Sequence, residues 1–322
     1  MSTPIPSPIS SPIPFVCAAH YTSGPAWIAA LQQAMPGERI VPFAALTDAE
    51  KADCTVAIVA NADPAVLRQM PRLTWVHSVW AGVERLMADL RDMPVTIVRL
   101  VDPQLAETIA EAVLAWTLYL HRDMPAYAAQ QARGEWLTRD YVGPEQRTVG
   151  LLGLGALGEA AARRLQASHF DVCGWSRNRK TLAGVECFAG EAELAAMLAQ
   201  TDILVCLLPL TAQTTGLLDA RRLGRLPQHA QLINFGRGPI VCDADLRDVL
   251  DQGGLKHAVL DVFAVEPLPP QEWQWRHPRV TVLPHCSAPT NQRTASAIVA
   301  GNIRAYRDTG VIPQGVDAIL GY

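Results

Sequence analysis

The feature that most constrains this chain is a glycine-spaced turn set between an apolar strand and a helix. Residues 149–152 read as a short strand, and the chain passes from it through Gly153-Leu154-Gly155-Ala156-Leu157-Gly158 into an Ala-rich helical stretch. Each glycine has a task in that order. The first permits a tight turn, the second lets backbone approach a pyrophosphate, and the third lets helix and strand pack closely. The helix N-terminus meanwhile offers free N–H groups to phosphate oxygens. A lone G-x-G-x-x-G is weak, but strand before and helix after is the context that gives it meaning. Residues Gly153, Gly155, Ala156, Leu157 and Gly158 are therefore expected to cradle the phosphates of a dinucleotide.

The rest of the chain repeats the same alternation. Apolar runs at 14–19, 39–43, 55–60, 73–78 and 95–100 form a first α/β series. A long Ala-rich helix over 104–121 follows. From Thr148 a second series places strands at 149–152, 172–175, 203–208, 232–234, 258–262 and 280–283, with helices at 157–167, 191–199 and 243–251. Alternation of this kind predicts an α/β fold, with parallel sheets covered by helices on both faces. A chain of 322 residues suits two domains of ordinary size.

Composition narrows the function classes. Hydrophobic residues make up 49% and charged residues 18%, as in a globular protein with large cores. A net charge of −4 without an acidic or basic tail argues against nucleic acid or a membrane surface as partner. No apolar run reaches the roughly 18 residues of a membrane span. Residues 1–13 alternate Pro and Ser, which predicts a flexible tail and makes a poor secretory signal, so the expected location is the cytoplasm. Seven cysteines (Cys17, Cys54, Cys173, Cys187, Cys206, Cys242, Cys286) form no C-x-x-C pair. They read as free thiols, with no disulfide framework and no metal site.

The segment after the second strand of the glycine-loop unit selects the dinucleotide. An NAD site usually carries a carboxylate there to bond the ribose hydroxyls. This chain has Ser176-Arg177-Asn178-Arg179-Lys180. A 2′-phosphate would be repelled by a carboxylate but bound by Arg177 with a second cation, Arg179 or Lys180, and by the Ser176 hydroxyl. NADPH is thus expected over NADH, which stays possible; a merely solvated basic turn is the alternative.

Three polar residues follow apolar strands of the same series, where open α/β sheets face their ligands. Arg237 lies in Asn234-Phe235-Gly236-Arg237-Gly238, Glu266 in Asp261-Val262-Phe263-Ala264-Val265-Glu266-Pro267, and His285 after Val280-Thr281-Val282-Leu283-Pro284. Hydride transfer to a ketone puts negative charge on oxygen, so a proton donor titrating near neutrality is needed, which suits His285. Glu266 would fix the imidazole tautomer and stabilise imidazolium. Arg237 can clamp the carboxylate of a 2-keto acid. Taken singly, each of the three could be structural.

With these motifs in place, the chain resembles the D-isomer-specific 2-hydroxyacid dehydrogenases, and within them the bacterial glyoxylate/hydroxypyruvate reductase A group. The likeness is strongest from Thr148 to Thr290, through GLGALG, GWSRNRK, CLLPLTAQTTGLLD, INFGRGPIV, LDVFAVEPLPP and HPRVTVLPH. The resemblance implies catalytic roles for Arg237, Glu266 and His285, a nicotinamide-amide contact for Asp261, and cofactor contacts at Leu208, Pro209 and Thr215. It also implies two doubly wound parallel-sheet domains, Rossmann and flavodoxin-like, with a cleft between them. The substrate-binding domain would comprise 14–106 and 293–322, and the NAD(P)-binding domain 107–292. The loop Val79-Trp80-Ala81-Gly82 would hold the substrate carboxylate by backbone N–H groups, with Arg237 and His285 as further substrate contacts. Trp80 stands where the family often has a small residue; its ring would either narrow the pocket or pack as ordinary core. A small 2-keto or 2-hydroxy acid is the implied substrate and a homodimer the implied assembly. A different substrate of the same family, phosphoglycerate or D-lactate, or a cofactor-sensing binding protein, remains open at this level.

Overall fold

The alternating apolar runs fold into two separate parallel sheets in the computed structural model, which describes residues 11–18 and 21–317. Contacts divide the chain into one unit up to Asp102 and from Thr290 onward, and a second unit from Pro103 to Pro289.

The first unit holds five strands: β1 (Ile13–Cys17), β2 (Ile40–Pro42), β3 (Val56–Ala60), β4 (Trp75–Ser78) and β5 (Thr96–Val98), in the order β2-β1-β3-β4-β5. β3 is buried along its whole length, as expected of a parallel strand covered on both faces. One face packs against Trp27 and Leu31 of the helix Gly24–Ala34 and Ala295, Val299 and Ile303 of the helix Gln292–Thr309. The other packs against Leu46, Leu67 and Leu86. The expected tail is shorter than its Pro/Ser composition implied. Ile13 is the first residue of β1 and is fully buried, because it pairs with Ile40 and fills the core. Residues 1–10 of that tail lie outside the described residues.

The second unit holds seven parallel strands: β6 (Thr148–Leu152), β7 (Asp171–Ser176), β8 (Glu186–Ala189), β9 (Ile203–Cys206), β10 (Ala230–Asn234), β11 (Leu255–Leu260) and β12 (Val280–Val282). Their order is β12-β11-β10-β9-β6-β7-β8. The chain therefore winds outward in one direction from β6 to β8, then returns to lay β9 on the other side of β6. Strand order reverses between β6 and β9, the place where open α/β sheets bind ligands. β8 was not expected from the sequence: it has four residues, sits at the edge and is only partly buried, so no apolar run marks it.

The long helix is Pro103–His121, and it buries Ile109, Ala110 and Val113 against Ala160, Ala161 and Leu165 of the helix Ala156–Ala167. Small alanines on both sides let the two helices approach. A further helix, Met124–Arg133, lies between left-handed residues Asp123 (φ +54°) and Gly134 (φ +68°). Among the described residues no helix is long and apolar enough to cross a membrane, and no group of His, Cys, Asp or Glu could hold a metal ion. All seven cysteines are free thiols.

Candidate active site

The glycine turn joins β6 to the helix Ala156–Ala167. Gly153 has φ +106°, and its N–H donates to Trp175 O (2.9 Å), which ties the turn to the end of β7. A Cβ on Gly158 would lie 1.9 Å from Gly153 O, so only glycine allows this helix to meet the turn. Gly155 is the reverse case. A Cβ there would meet no atom within 4 Å, and the residue's φ of −82° is open to any amino acid. Nothing in the protein's own packing requires glycine at 155. The open space and a helix N-terminus without side-chain cap are what a bound pyrophosphate needs, so this turn fits the group.

The basic run does not act as one block. Ser176 closes β7, and its hydroxyl donates to Asn178 O (2.6 Å). Arg177 and Lys180 are exposed. Arg179 donates to Cys187 O (2.8 Å) and pairs with Glu193, which links β8 and the following helix to the loop. Glu193 is held below the usual carboxylate range by the Ala189 N–H, with Arg179 adding to it. The pair is exposed, so water screens it and it holds Arg179 only weakly.

After β9, Leu208 is buried and Pro209 partly so. The sequence singled out Thr215 in this loop, which is exposed with its hydroxyl donated to Thr211 O (2.8 Å). Thr214 is the residue that shapes the turn, donating to Pro209 O (2.7 Å) and accepting from Thr211 N (2.7 Å). Two adjacent threonines carry no sequence signal to tell them apart; burial decides.

Arg237 follows β10, Glu266 follows β11 and His285 follows β12. His285 Nδ1–H donates to Glu266 Oε2 (2.7 Å), and since a carboxylate only accepts, that proton fixes the tautomer. Glu266 Oε1 accepts from Phe263 N (2.8 Å). The imidazole is held above its usual pKa, first by the Glu266 hydrogen bond; partial burial and the Arg237 charge oppose it. For Glu266, burial works upward, but the hydrogen bonds from His285 and Phe263 outweigh it and leave the carboxyl below its usual range. Arg237 stands close enough for its charge to act on both. His285 keeps 51% of its side chain exposed, so the ring is accessible as well as paired. Asp261 has an occupation the resemblance did not imply: Oδ1 accepts from Cys286 N (2.8 Å) and Oδ2 from Ser287 N (3.0 Å).

The loop after β4 departs from expectation. Val79 N–H already donates to Val59 O (3.0 Å), and Trp80 N–H to Ser78 Oγ (3.0 Å), so neither is free for a carboxylate. Ala81 and Gly82 N–H groups have no partner among the described residues. The Trp80 ring meets Tyr21 and Trp27 edge-on, at 6.0 and 5.8 Å, as part of the first unit's core.

Comparison with known proteins agrees with this construction. Residues 114–287 match the family described as D-isomer specific 2-hydroxyacid dehydrogenase, NAD binding domain. The chain is 36% identical over 303 residues to glyoxylate/hydroxypyruvate reductase A of Serratia proteamaculans (strain 568), covering 92% of this chain and 96% of that protein. It is similar to the structure of a D-isomer specific 2-hydroxyacid dehydrogenase from Xanthobacter autotrophicus Py2 in complex with NADPH and MES. There the TM-score is 0.88 at 37% identity, covering 97% of this chain and all 100% of that one. It is also similar to the NADPH-dependent glyoxylate/hydroxypyruvate reductase of Sinorhizobium meliloti in complex with NADP and sulfate. That TM-score is 0.87 at 34% identity, covering 96% and 100% of the two chains. Two parallel-sheet units, one with a dinucleotide turn, define an NAD(P)-dependent oxidoreductase. The chain belongs to the D-isomer-specific 2-hydroxyacid dehydrogenase family.

Proposed function

We propose that the protein reduces small 2-keto acids with NADPH, taking glyoxylate to glycolate and hydroxypyruvate to D-glycerate, with His285 as general acid. The observation that carries this reading is the 2.7 Å His285–Glu266 hydrogen bond beside the Arg237 charge. NADPH bound on the Gly153–Gly158 turn would supply the hydride. Arg237 clamps the keto-acid carboxylate and draws charge from the carbonyl. As the carbonyl oxygen gains alkoxide character, the imidazolium of His285 delivers a proton to it from Nε2. Glu266, bonded at Nδ1, holds the ring in place and favours the charged form that donates. Arg177, Lys180 and Ser176, with Arg179 once it leaves Glu193, favour a 2′-phosphate and hence NADPH.

We also infer a homodimer in the cytoplasm. Large apolar side chains are exposed along one stretch of the second unit: Met124, Tyr127, Trp136 (98% exposed), Leu137 and Tyr141. Surfaces of that kind mark association sites. Seven free thiols suit a reducing compartment.

An initial-rate screen of glyoxylate, hydroxypyruvate, 3-phosphohydroxypyruvate and pyruvate with each cofactor tests the assignment. The expected outcome is kcat/KM at least about tenfold higher with NADPH than with NADH, and highest for the two smallest unphosphorylated acids. Equal use of the cofactors ends the NADPH reading; turnover of the phosphorylated acid alone ends the substrate reading. Size-exclusion chromatography with light scattering reads the assembly, and a monomer at micromolar concentration overturns the dimer.

A further inference from the structure

The turns that present Arg237 and His285 are each caught by a buried side chain, the first by Asn234 at the end of β10 itself and the second by Asp261 after the neighbouring β11. Asn234 ends β10 and is 1% exposed. Its Nδ2–H donates to Arg237 O (3.1 Å) and its Oδ1 accepts from Gly236 N (3.2 Å), so one carboxamide closes the turn from both sides. Asp261 follows β11 and is 2% exposed. It grips the N–H groups of Cys286 and Ser287, the two residues after His285. His285 itself has φ +51°, a left-handed backbone that few non-glycine residues adopt and that persists only where its surroundings hold it. The two grips are joined, because Asp261 N–H donates to Asn234 O (3.2 Å). An unbroken run of hydrogen bonds thus leads from the Arg237 turn through Asn234 and Asp261 to the His285 turn.

We propose that Asn234 and Asp261 form one frame that fixes Arg237 relative to His285, with Asp261 serving as a positioning residue for His285. This rests on Arg237 and His285 being the reacting pair proposed above. The frame differs from a cofactor contact in what it should control. A carboxylate that held the nicotinamide amide would govern NADPH affinity. A carboxylate that holds the His285 turn governs the proton-transfer step and leaves affinity to the glycine turn. Displacement of a reacting group by about 1 Å can cost about a hundredfold in rate.

The test measures NADPH dissociation constants by fluorescence, and kcat, KM and their pH dependence with glyoxylate, for full-length Asp261→Asn, Asn234→Ala and the double variant. In Asp261→Asn an amide N–H must face a backbone N–H, so one of the two donors is released. Expected are NADPH affinities within about twofold of wild type, and kcat lower by about tenfold to a hundredfold, with the basic limb of the profile moved to lower pH in Asp261→Asn. Asn234→Ala should raise the keto-acid KM as well, because Arg237 loosens, and the double variant should lose less than the product of the singles. NADPH affinity about tenfold weaker with kcat unchanged at saturation would assign Asp261 to the cofactor and overturn the frame. Fully multiplicative losses overturn the coupling. If Asp261→Asn does not fold, Asp261→Glu keeps the charge but moves the carboxylate by one methylene, and wild-type kcat in it overturns the proposal. His285→Ala in the same assay separates the two readings. Wild-type turnover there removes the reacting pair and the frame together. An inactive His285→Ala beside unimpaired Asn234 and Asp261 variants removes the frame alone.

Discussion

In the first unit the loop after β4 leads into an aromatic cluster; in the second the loop after β6 leads into open space. Both begin alike, as an apolar parallel strand followed by a glycine-containing turn and a helix. In the first, the helix Glu84–Asp89 has six residues, two of the loop N–H groups are consumed within the fold, and Trp80 packs on Tyr21 and Trp27. In the second, the helix has twelve residues and the space over Gly155 is kept clear. Strand, turn and helix together do not decide how much of a loop is left for a ligand; the N–H groups already spent and the volume left open do.

The same contrast separates two histidines. His77 in β4 is fully buried, donating from Nδ1 to Ser78 O (2.9 Å) and accepting at Nε2 from Asn302 Nδ2–H (2.8 Å). Burial pushes its pKa down to about 4, so the ring stays neutral and structural. His285 is half exposed and paired with a carboxylate, which pushes its pKa the other way. Burial and partner alone separate the two imidazoles, one a structural brace and the other the proton donor of the proposed reaction.

Removing His285 gives the largest expected effect. His285→Ala should lower kcat by about 10²–10⁴-fold with NADPH affinity retained, whereas His77→Gln should leave turnover close to wild type. Steady-state rates beside fluorescence titration check both, and a fully active His285→Ala breaks the comparison. Arg237→Ala should cost about tenfold to a hundredfold in kcat/KM, raising KM and lowering kcat together, since one charge-assisted clamp serves ground and transition states.

The glycine turn sharpens the contrast next. Gly155→Ala should weaken NADPH about tenfold while costing about 1 kcal/mol of stability or less, because its Cβ points into space only a ligand would fill. Gly158→Ala should instead destabilise the fold, since its Cβ collides with Gly153 O. If Gly155→Ala binds NADPH as wild type does, the open volume is not the phosphate site.

Acid–base behaviour gives smaller effects. His285 must be protonated to donate, so reduction should slow as pH rises through its raised pKa. Glu266→Gln removes the main cause of that elevation, and the limb should move to lower pH. A limb that does not move disproves the pairing. Stability should respond through the buried rings. His77 and His257 have folded pKa values of about 4, below the ordinary value of 6.5, so the unfolded chain binds more protons between those limits. Stability should therefore be complete above about pH 6.5 and fall as pH drops toward 4, by at most about 3 kcal/mol for each histidine. Melting temperatures across that range, with His77→Gln showing a shallower slope, check it.

Much of this was legible in the residues. Apolar runs place eleven of the strands to within a few positions, because burial on both faces of a parallel sheet imposes a local pattern. The glycine spacing marks the phosphate turn because its demands are met by neighbours in the chain. The places of Arg237, Glu266 and His285 after three strands could be read too, and the structure pairs His285 with Glu266; the chemistry assigned to them is the proposal. What the sequence could not decide were partners set by distant contacts. Arg179 is drawn to Glu193, Val79 has spent its N–H group on Val59 O, and Asp261 grips residues 25 and 26 positions away. A hydrogen bond at short range follows from turn chemistry. One that spans strands depends on which side chain is nearest once both sheets are packed, and only the tertiary structure determines that.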